Sequence, residues 1–473
     1  MPSTRRRVAS NTAVQVAGKG VVLAIGVASI GVLTRYLGPG DYGRYTLALV
    51  YMQLFGVLAD VGLFTTVVRE ISKDAARTDQ LVGNAFTLRL LLSCVVVALA
   101  AAVSLVLPYE HSVRVAIVIA GVPLVLGMVT TTFVGVLQAR LRMSRAVVAD
   151  VGGRASALGL VLLVAALDLG FYAVLGAAAG GALATLVLTW ALTRGIVPLR
   201  PRADRAVWRS LLVAALPLGL ALAVNAVYFR VDTLIISLYE PYAEVGQYTL
   251  AYRILELLLV LGTIFLNTTF PLLSEAVGRG EEERVRRTLQ VSTDAFVLLG
   301  LPLVAGGLVL APEVVEVAAG ADFSGAADPL RILLAAGALA WVNGVFGFAL
   351  IAKERQLSAL WLNVSALAFN IVLNVILVPR YGIVAAAVVS VASELLILGG
   401  SFGLMKRHFG FFPVARTLPV ALAAAAAMAF VLWLLRDLPV LALAPLGAAV
   451  YAALVWTLSP VSREVVAGIR PAP

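Results

Sequence analysis

Long apolar runs succeed one another from Val8 almost to the C-terminus, each closed by a short polar, Gly-containing or Pro-containing break. A helix needs roughly 20 mostly apolar residues to cross about 30 Å of hydrocarbon at 1.5 Å rise per residue. Cutting the chain at its breaks predicts helices near 11–36, 42–67, 81–107, 113–139, 146–167, 171–193, 210–238, 245–273, 289–311, 326–351, 356–378, 382–405, 415–435 and 440–458. Nothing is left over for a sizeable soluble domain. The pattern predicts an all-α polytopic membrane protein of about fourteen transmembrane helices, and an even count puts both termini on one side.

Composition agrees, with 61% of the 473 residues hydrophobic and 13% charged, against about 25% charged in soluble domains. The net charge of +10 would raise nucleic acid as a partner in a soluble chain. Here the bases sit in short loops and are topogenic, so no nucleic acid is expected. Cys94 is the single cysteine, and His111 and His408 lie far apart, so neither a disulfide nor a metal site is implied. MPSTRRRVAS before an apolar stretch resembles a signal peptide, but the following run exceeds 25 residues and has no persuasive cleavage site. It reads as a retained first helix.

Charge sets the orientation. Arg5, Arg6, Arg7, Arg69, Lys73, Arg77, Arg140, Arg142, Arg145, Arg194, Arg200, Arg202, Arg205 and Arg209 fall on one set of segments. Arg279, Arg284, Arg286, Arg287, Lys353, Arg355, Lys406, Arg407, Arg463 and Arg470 continue it, making 24 of the 36 basic residues. The opposite loops hold six: Arg35, Arg44, Arg114, Arg331, Arg380 and Arg436. The positive-inside rule then predicts cytoplasmic termini for a multi-pass protein of the cytoplasmic (inner) membrane.

An internal repeat adds a second regularity. GRYTLAL begins at Gly43 and GQYTLAY at Gly246, an offset of 203 residues, each at the start of an even-numbered helix. This predicts two parallel six-helix lobes with a cavity between them, followed by two appended helices. The expected divisions are 1–205 for helices 1–6, 206–408 for helices 7–12, and 409–473 for helices 13–14 and a cytoplasmic tail.

Six basic residues fall within spans: Lys19, Arg89, Arg154, Arg230, Arg253 and Arg416. Arg416 is near enough to an inner end to snorkel. A charge at a helix centre costs about 2.5–3.5 kcal/mol on insertion scales, so the other five are candidates to face a wet cavity. Counting along the helices puts Lys19 roughly 18 Å from Arg7, and Arg89 and Arg154 about 13 Å from the inner loops. Asp150 lies one turn from Arg154, whereas Lys19 and Arg89 have no local acid. Asp232 and Arg253 fall at similar depth, about 12–14 Å below the outer surface, so they can be partners. Arg253 and Glu256 share a helix face at i, i+3. The plainer reading of Arg230, Asp232, Arg253 and Glu256 is a structural cluster of ion pairs. The functional reading is a cationic pocket, in which an arginine fork or a lysine takes phosphate oxygens; Lys19 and Arg89 are its leading candidates. Pro217, Pro302, Asn225 and Asn267 could bend helices or donate to a ligand, but all are common in ordinary membrane helices.

Other apparent motifs fail. AGKGV around Lys19 lacks P-loop spacing, Gly176 and Gly180 form a packing GxxxG, and RGEEERVRRTLQ reads as a solvated helix.

LTRYLGPGDYGRYTLA, together with ALPLGLALAVNAVYFRVDTLIISLYEPYAEVGQYTLAYRI and the twelve-plus-two plan, resembles the polysaccharide biosynthesis proteins. These are the O-antigen and lipid-linked oligosaccharide flippases of the multidrug/oligosaccharidyl-lipid/polysaccharide exporter superfamily. The most specific part is Arg230, Asp232, Gly246, Tyr248, Ala251 and Arg253 in this order. The resemblance implies two lobes in a V that alternate between inward-open and outward-open states. The implied substrate is a polyprenyl diphosphate-linked oligosaccharide, held against basic residues and moved to the outer leaflet. It implies no cofactor. Asp232, Glu256 and Glu394 could carry a coupling proton or sodium ion, with a structural role the alternative. Expected partners are the lipid-linked substrate, membrane lipids and polysaccharide-assembly proteins, and the protein is expected to be a monomer. Two rival readings are a drug or organic cation antiporter of the same superfamily, and a membrane polymerase or glycosyltransferase. The first needs exposed acids in the N-terminal half; the second usually carries a large outer loop, and the longest here is only Pro312 to Asp328.

Overall fold

The computed structural model describes residues 4–196 and 200–458. The expected cytoplasmic tail, with Arg463 and Arg470, lies outside the described residues, as do the side chains of Arg5, Arg6 and Arg7.

The helices are α1 Thr4–Asp60, α2 Leu63–Lys73, α3 Thr78–Val106, α4 His111–Ala139, α5 Met143–Ala166, α6 Phe171–Thr193 and α7 Arg205–Tyr228. They continue with α8 Val231–Tyr239, α9 Tyr242–Gly278, α10 Glu282–Ala319, α11 Ala327–Ala352, α12 Gln356–Phe409, α13 Leu418–Leu434 and α14 Val440–Leu458. Two of them are bent pairs of spans. Gly38 in α1 (φ 65°) and Gly382 in α12 (φ 64°) leave helical geometry beside Pro39 and Pro379, so the first and second expected helices join, as do the eleventh and twelfth. A residue without Cβ enters that left-handed region at no steric cost. Among the described residues ten helices are long and apolar enough to cross a membrane, or eleven if Arg205–Pro217 and Leu222–Tyr228 form one broken span. Separating the two arms of α1 and of α12, and adding the shorter apolar α13, gives the fourteen segments expected.

Two breaks were not legible in the apolar pattern. The second expected helix is interrupted at Val61–Gly62, both with positive φ, and the seventh at Phe229–Arg230, between α7 and α8. Gly62 meets the backbone of Ala215 and Gly219 in α7, and a Cβ on Gly219 would collide with the Val61 backbone. The first break is where two main chains touch, an event that hydropathy does not register.

The chain forms two compact units, Met1–Gly246 and Gln247–Pro473. Within the first unit α7 packs on α1, α2 and α3, and α8 on α1. In the first unit Leu63, Val67, Leu81, Val82, Leu88, Val136 and Leu211 build a core shared by α2, α3, α4 and α7. Asp204 caps α7 by accepting from the Ala206 amide at 2.9 Å, and Asn84 Oδ1 accepts from the Asp204 amide at 2.8 Å.

The repeat is visible here as a reciprocal contact. A Cβ on Gly43 would strike the carbonyl of Tyr242, and one on Gly246 would strike that of Pro39. Tyr242 is Pro39 displaced by the same 203 residues that separate the glycines, so each copy meets the other at equivalent positions, as in a two-fold contact. Gly43→Ala is expected to destabilise by about 3 kcal/mol, the upper range for overpacking, since backbone cannot rotate away. Thermal unfolding in detergent checks this; an unchanged midpoint would contradict the contact.

In the second unit α10 and α11 each pack on neighbours in chain order, and α13 and α14 lie on α10. Gly262 accommodates the Trp341 ring, and Gly337 and Gly344 accommodate Leu255 and Leu266, bringing α9 against α11. Trp341 is buried beside Phe296. The appended helices are held by polar contacts as well. Asp294 of α10, whose side chain is fully buried, accepts from the Thr417 amide at 3.2 Å, Arg416 Nε at 3.2 Å and Gln290 Nε2 at 3.1 Å. Arg416 therefore neutralises a buried acid, where snorkelling alone was expected. Removing a carboxylate that accepts charge-assisted bonds costs about 2–3 kcal/mol. Asp294→Ala is accordingly expected to free α13, read as faster proteolysis near residue 417; wild-type resistance would contradict the anchor.

Candidate functional site

The basic residues of the spans fall into different environments. On α1, Gly18 packs against Val147 of α5 while Lys19, the next residue, is exposed. Lys19 has no ion pair among the described residues. Arg154 lies seven residues beyond Val147, so it shares that stripe of α5 about two turns farther along. Arg154 Nε donates to Asp150 Oδ1 at 2.9 Å, the pairing expected from the i, i+4 spacing, and both side chains remain about half exposed, at 49% and 48%. Lys19 and Arg154 thus stand on adjoining helices of the first unit.

Arg89 is different. Its side chain is 1% exposed, and Nη2 donates to Asp60 Oδ1 at 2.8 Å. Nη1 reaches Thr131 Oγ1 and, at 3.5 Å, Thr132 Oγ1. No acid lies near Arg89 in the chain, and its partner comes from another helix: Asp60 sits at the end of α1, immediately before the Val61–Gly62 break, and α4 supplies the hydroxyls. A guanidinium with its forward nitrogens engaged is a brace joining α1, α3 and α4.

Arg230 occupies the break between α7 and α8 and is half-buried; Asp232 follows in the first turn of α8 and is buried. Both belong to the first unit. In the second unit Arg253 Nη1 donates to Glu256 Oε2 at 2.9 Å, as the i, i+3 spacing predicted, with Arg253 half exposed.

Sequence reasoning missed three polar partnerships, because each joins residues too far apart in the chain for helical spacing to reveal them. Asp60 with Arg89 and Asp294 with Thr417 are two. The third is in α11 and α12, where Asn343 Nδ2 donates to Glu394 Oε2 at 2.7 Å and to its carbonyl at 2.9 Å. No group of three or more His, Cys, Asp or Glu side chains suited to a metal occurs among the described residues.

Comparison with known proteins gives this arrangement a family. The sequence model described as polysaccharide biosynthesis protein matches residues 8–277. The chain belongs to the polysaccharide biosynthesis protein family. The MatE model also matches, over residues 217–376. Among curated relatives, the protein named probable low-salt glycan biosynthesis flippase Agl15, of Haloferax volcanii, is 24% identical over 79% of this chain and 78% of its own length. Probable flippase AglR of the same organism is 26% identical over 36% of each chain. Among solved structures, lipid II flippase MurJ in an inward closed conformation matches with TM-score 0.78 and 13% identity, covering 96% of this chain and 99% of its own. An inward-facing multidrug resistance MATE family transporter gives TM-score 0.66 and 17% identity, covering 82% and 95% respectively. These likenesses show the fold of this chain: a multi-pass, all-helical membrane protein of two lobes, like the MurJ and MATE structures.

Proposed function

We propose that the protein is a flippase that moves a polyprenyl diphosphate-linked oligosaccharide from the cytoplasmic to the outer leaflet by alternating access, in the synthesis of a cell-surface glycan. The observation that carries this reading is the similarity, over most of the chain, to a relative named as a probable glycan biosynthesis flippase, together with the match to the family described as polysaccharide biosynthesis protein. The inner membrane, with both termini cytoplasmic, is the proposed location, supported by the basic bias of alternate loops.

The physical task is to carry charge through hydrocarbon. A bare ion meets a desolvation cost of tens of kcal/mol in a medium of low dielectric, so a diphosphate needs fixed cations or water along its path. Lys19 and Arg154 suit that role because they are accessible within apolar spans. Arg230 and Arg253 are proposed as further contacts from the other repeat. Arg89 acts by positioning, holding α1 and α3 in register. The glycan would travel in water and the polyprenyl tail in lipid. Asp232, Glu256 and Glu394 are the carboxylates proposed for a coupling proton or sodium ion, and a monomer working beside polysaccharide-assembly proteins completes the proposal.

The MatE match supports the rival reading of an organic cation antiporter. That activity needs available acids in the N-terminal half, expected helices 1–6, but Asp60 and Asp150 are both engaged by arginine. Ligand-dependent thermal stabilisation separates the two. The purified protein should be stabilised by a polyprenyl diphosphate-linked sugar and left unmoved by organic cations; the opposite pattern would favour the antiporter.

A further inference from the structure

One end of the second unit gathers basic side chains and aromatic rings from three parts of the chain. Arg286, near the start of α10, lies over the Phe411 ring at 4.4 Å. Lys353, at the turn between α11 and α12, lies over Phe409 at 4.7 Å and donates to the carbonyl of His408. Lys406, in the last turn of α12, lies over Phe402 at 4.3 Å. The rings fall in two groups, Phe402 and Phe346 at 5.1 and 4.9 Å from Phe412, and Phe409 at 6.4 Å from Phe411. Arg355 and Arg407 join the same cluster, since both act electrostatically with Lys353 on His408.

None of Arg286, Lys353, Arg355, Lys406 or Arg407 forms an ion pair among the described residues. Glu354, exposed between Lys353 and Arg355, is the carboxylate set among them. Like charges gathered this closely repel one another, and ring faces hold Arg286, Lys353 and Lys406 in place without neutralising them. The charge excess calls for a bound anion.

The surroundings say what kind. Leu357 and Trp361, each 67% exposed, begin α12 beside Arg355, and Phe402 is exposed one turn from Lys406. These apolar side chains lie on spanning helices, so they face hydrocarbon where the cations stand at its edge. A ligand filling both zones has a phosphate above and chains below. We infer that this end of the second unit binds the headgroups of anionic phospholipids, with Lys353, Arg355, Lys406 and Arg407 contacting phosphate while Leu357, Trp361 and Phe402 contact the acyl chains. Basic sites between membrane helices take such headgroups by the same chemistry. The inference requires only that the chain spans a membrane, and is independent of what it transports.

The test is lipid retention by the full-length protein in detergent, measured by native mass spectrometry with equimolar phosphatidylglycerol and phosphatidylcholine. The expected result is about fivefold or greater preference for phosphatidylglycerol, the factor that one surface cation of about 1 kcal/mol supplies. The triple variant Arg355→Gln, Lys406→Gln, Arg407→Gln should bring the two lipids near parity at an unchanged unfolding midpoint. A control variant, Arg279→Gln with Arg284→Gln, removes bases already paired with Glu275 and Glu281 and should keep the preference. Equal retention in the parent, or a preference that survives the triple change, would overturn the assignment. Displacement of phosphatidylglycerol by inorganic polyphosphate at matched phosphate would also overturn it, pointing to a soluble polyanion.

Discussion

Replacing Lys19 with alanine lowers translocation of a diphosphate-linked substrate by about tenfold to a hundredfold and leaves the folded protein intact. The magnitude follows from a hydrogen bond to a charged group, worth about 1.5–3 kcal/mol, with tenfold for every 1.4 kcal/mol. Stability should hold because Lys19 is exposed and has no ion pair among the described residues, while the neighbouring Gly18 makes the helix contact with Val147. Lys19→Arg should retain most activity, since the charge survives at similar reach. The measurement is initial translocation rate in proteoliposomes, paired with an unfolding midpoint. A wild-type rate for Lys19→Ala would remove this lysine from the substrate path.

Arg89→Ala is expected to act through the fold. It leaves the Asp60 carboxylate without its cation and Thr131 and Thr132 without their donor, deep in the first unit. Breaking a buried pair by removing one partner costs about 3–5 kcal/mol. Asp60 retains 27% of its exposure, so water recovers part of its solvation and the expected loss is about 3 kcal/mol. The double variant Asp60→Asn, Arg89→Gln should lose less than the sum of the single changes, because neither leaves a stranded charge. An Arg89→Ala protein with native stability but abolished transport would reverse the assignment and restore Arg89 to the substrate path.

The contrast between these residues shows what could be read from the chain. Both appeared as cations in apolar runs without a local acid, and periodicity cannot separate them further. Ion pairs within one helix were legible: Asp150 with Arg154 and Arg253 with Glu256 follow from i, i+4 and i, i+3 spacing. Asp60 with Arg89 was not, because the partners come from different helices and depend on how α1 ends. The same distinction governs the fold. Gly38 and Gly382 announce their breaks through Gly-Pro chemistry, but Val61–Gly62 interrupts an apolar run where α7 happens to touch it. The repeat was visible as GRYTLAL and GQYTLAY, and its glycines prove to be the points where the copies meet. The tether of α13 to Asp294 spans 123 residues and has no local signature.

The anionic-lipid site and the transport reading bear on different parts of the molecule. Charge removed from Arg355, Lys406 and Arg407 should alter lipid retention, and charge removed from Lys19 should alter substrate movement. Crossed effects are not expected in purified protein held in one lipid composition.

The central claim is that this chain carries a diphosphate-linked sugar lipid across a bilayer. Its most direct test is a sided assay in proteoliposomes, with a fluorescent polyprenyl diphosphate-linked oligosaccharide and a membrane-impermeant quencher added outside. With translocation, nearly all the fluorophore becomes accessible within minutes, against about half in protein-free vesicles. A half-protected plateau that persists with the folded wild-type protein, under every imposed proton or sodium gradient, would contradict the account.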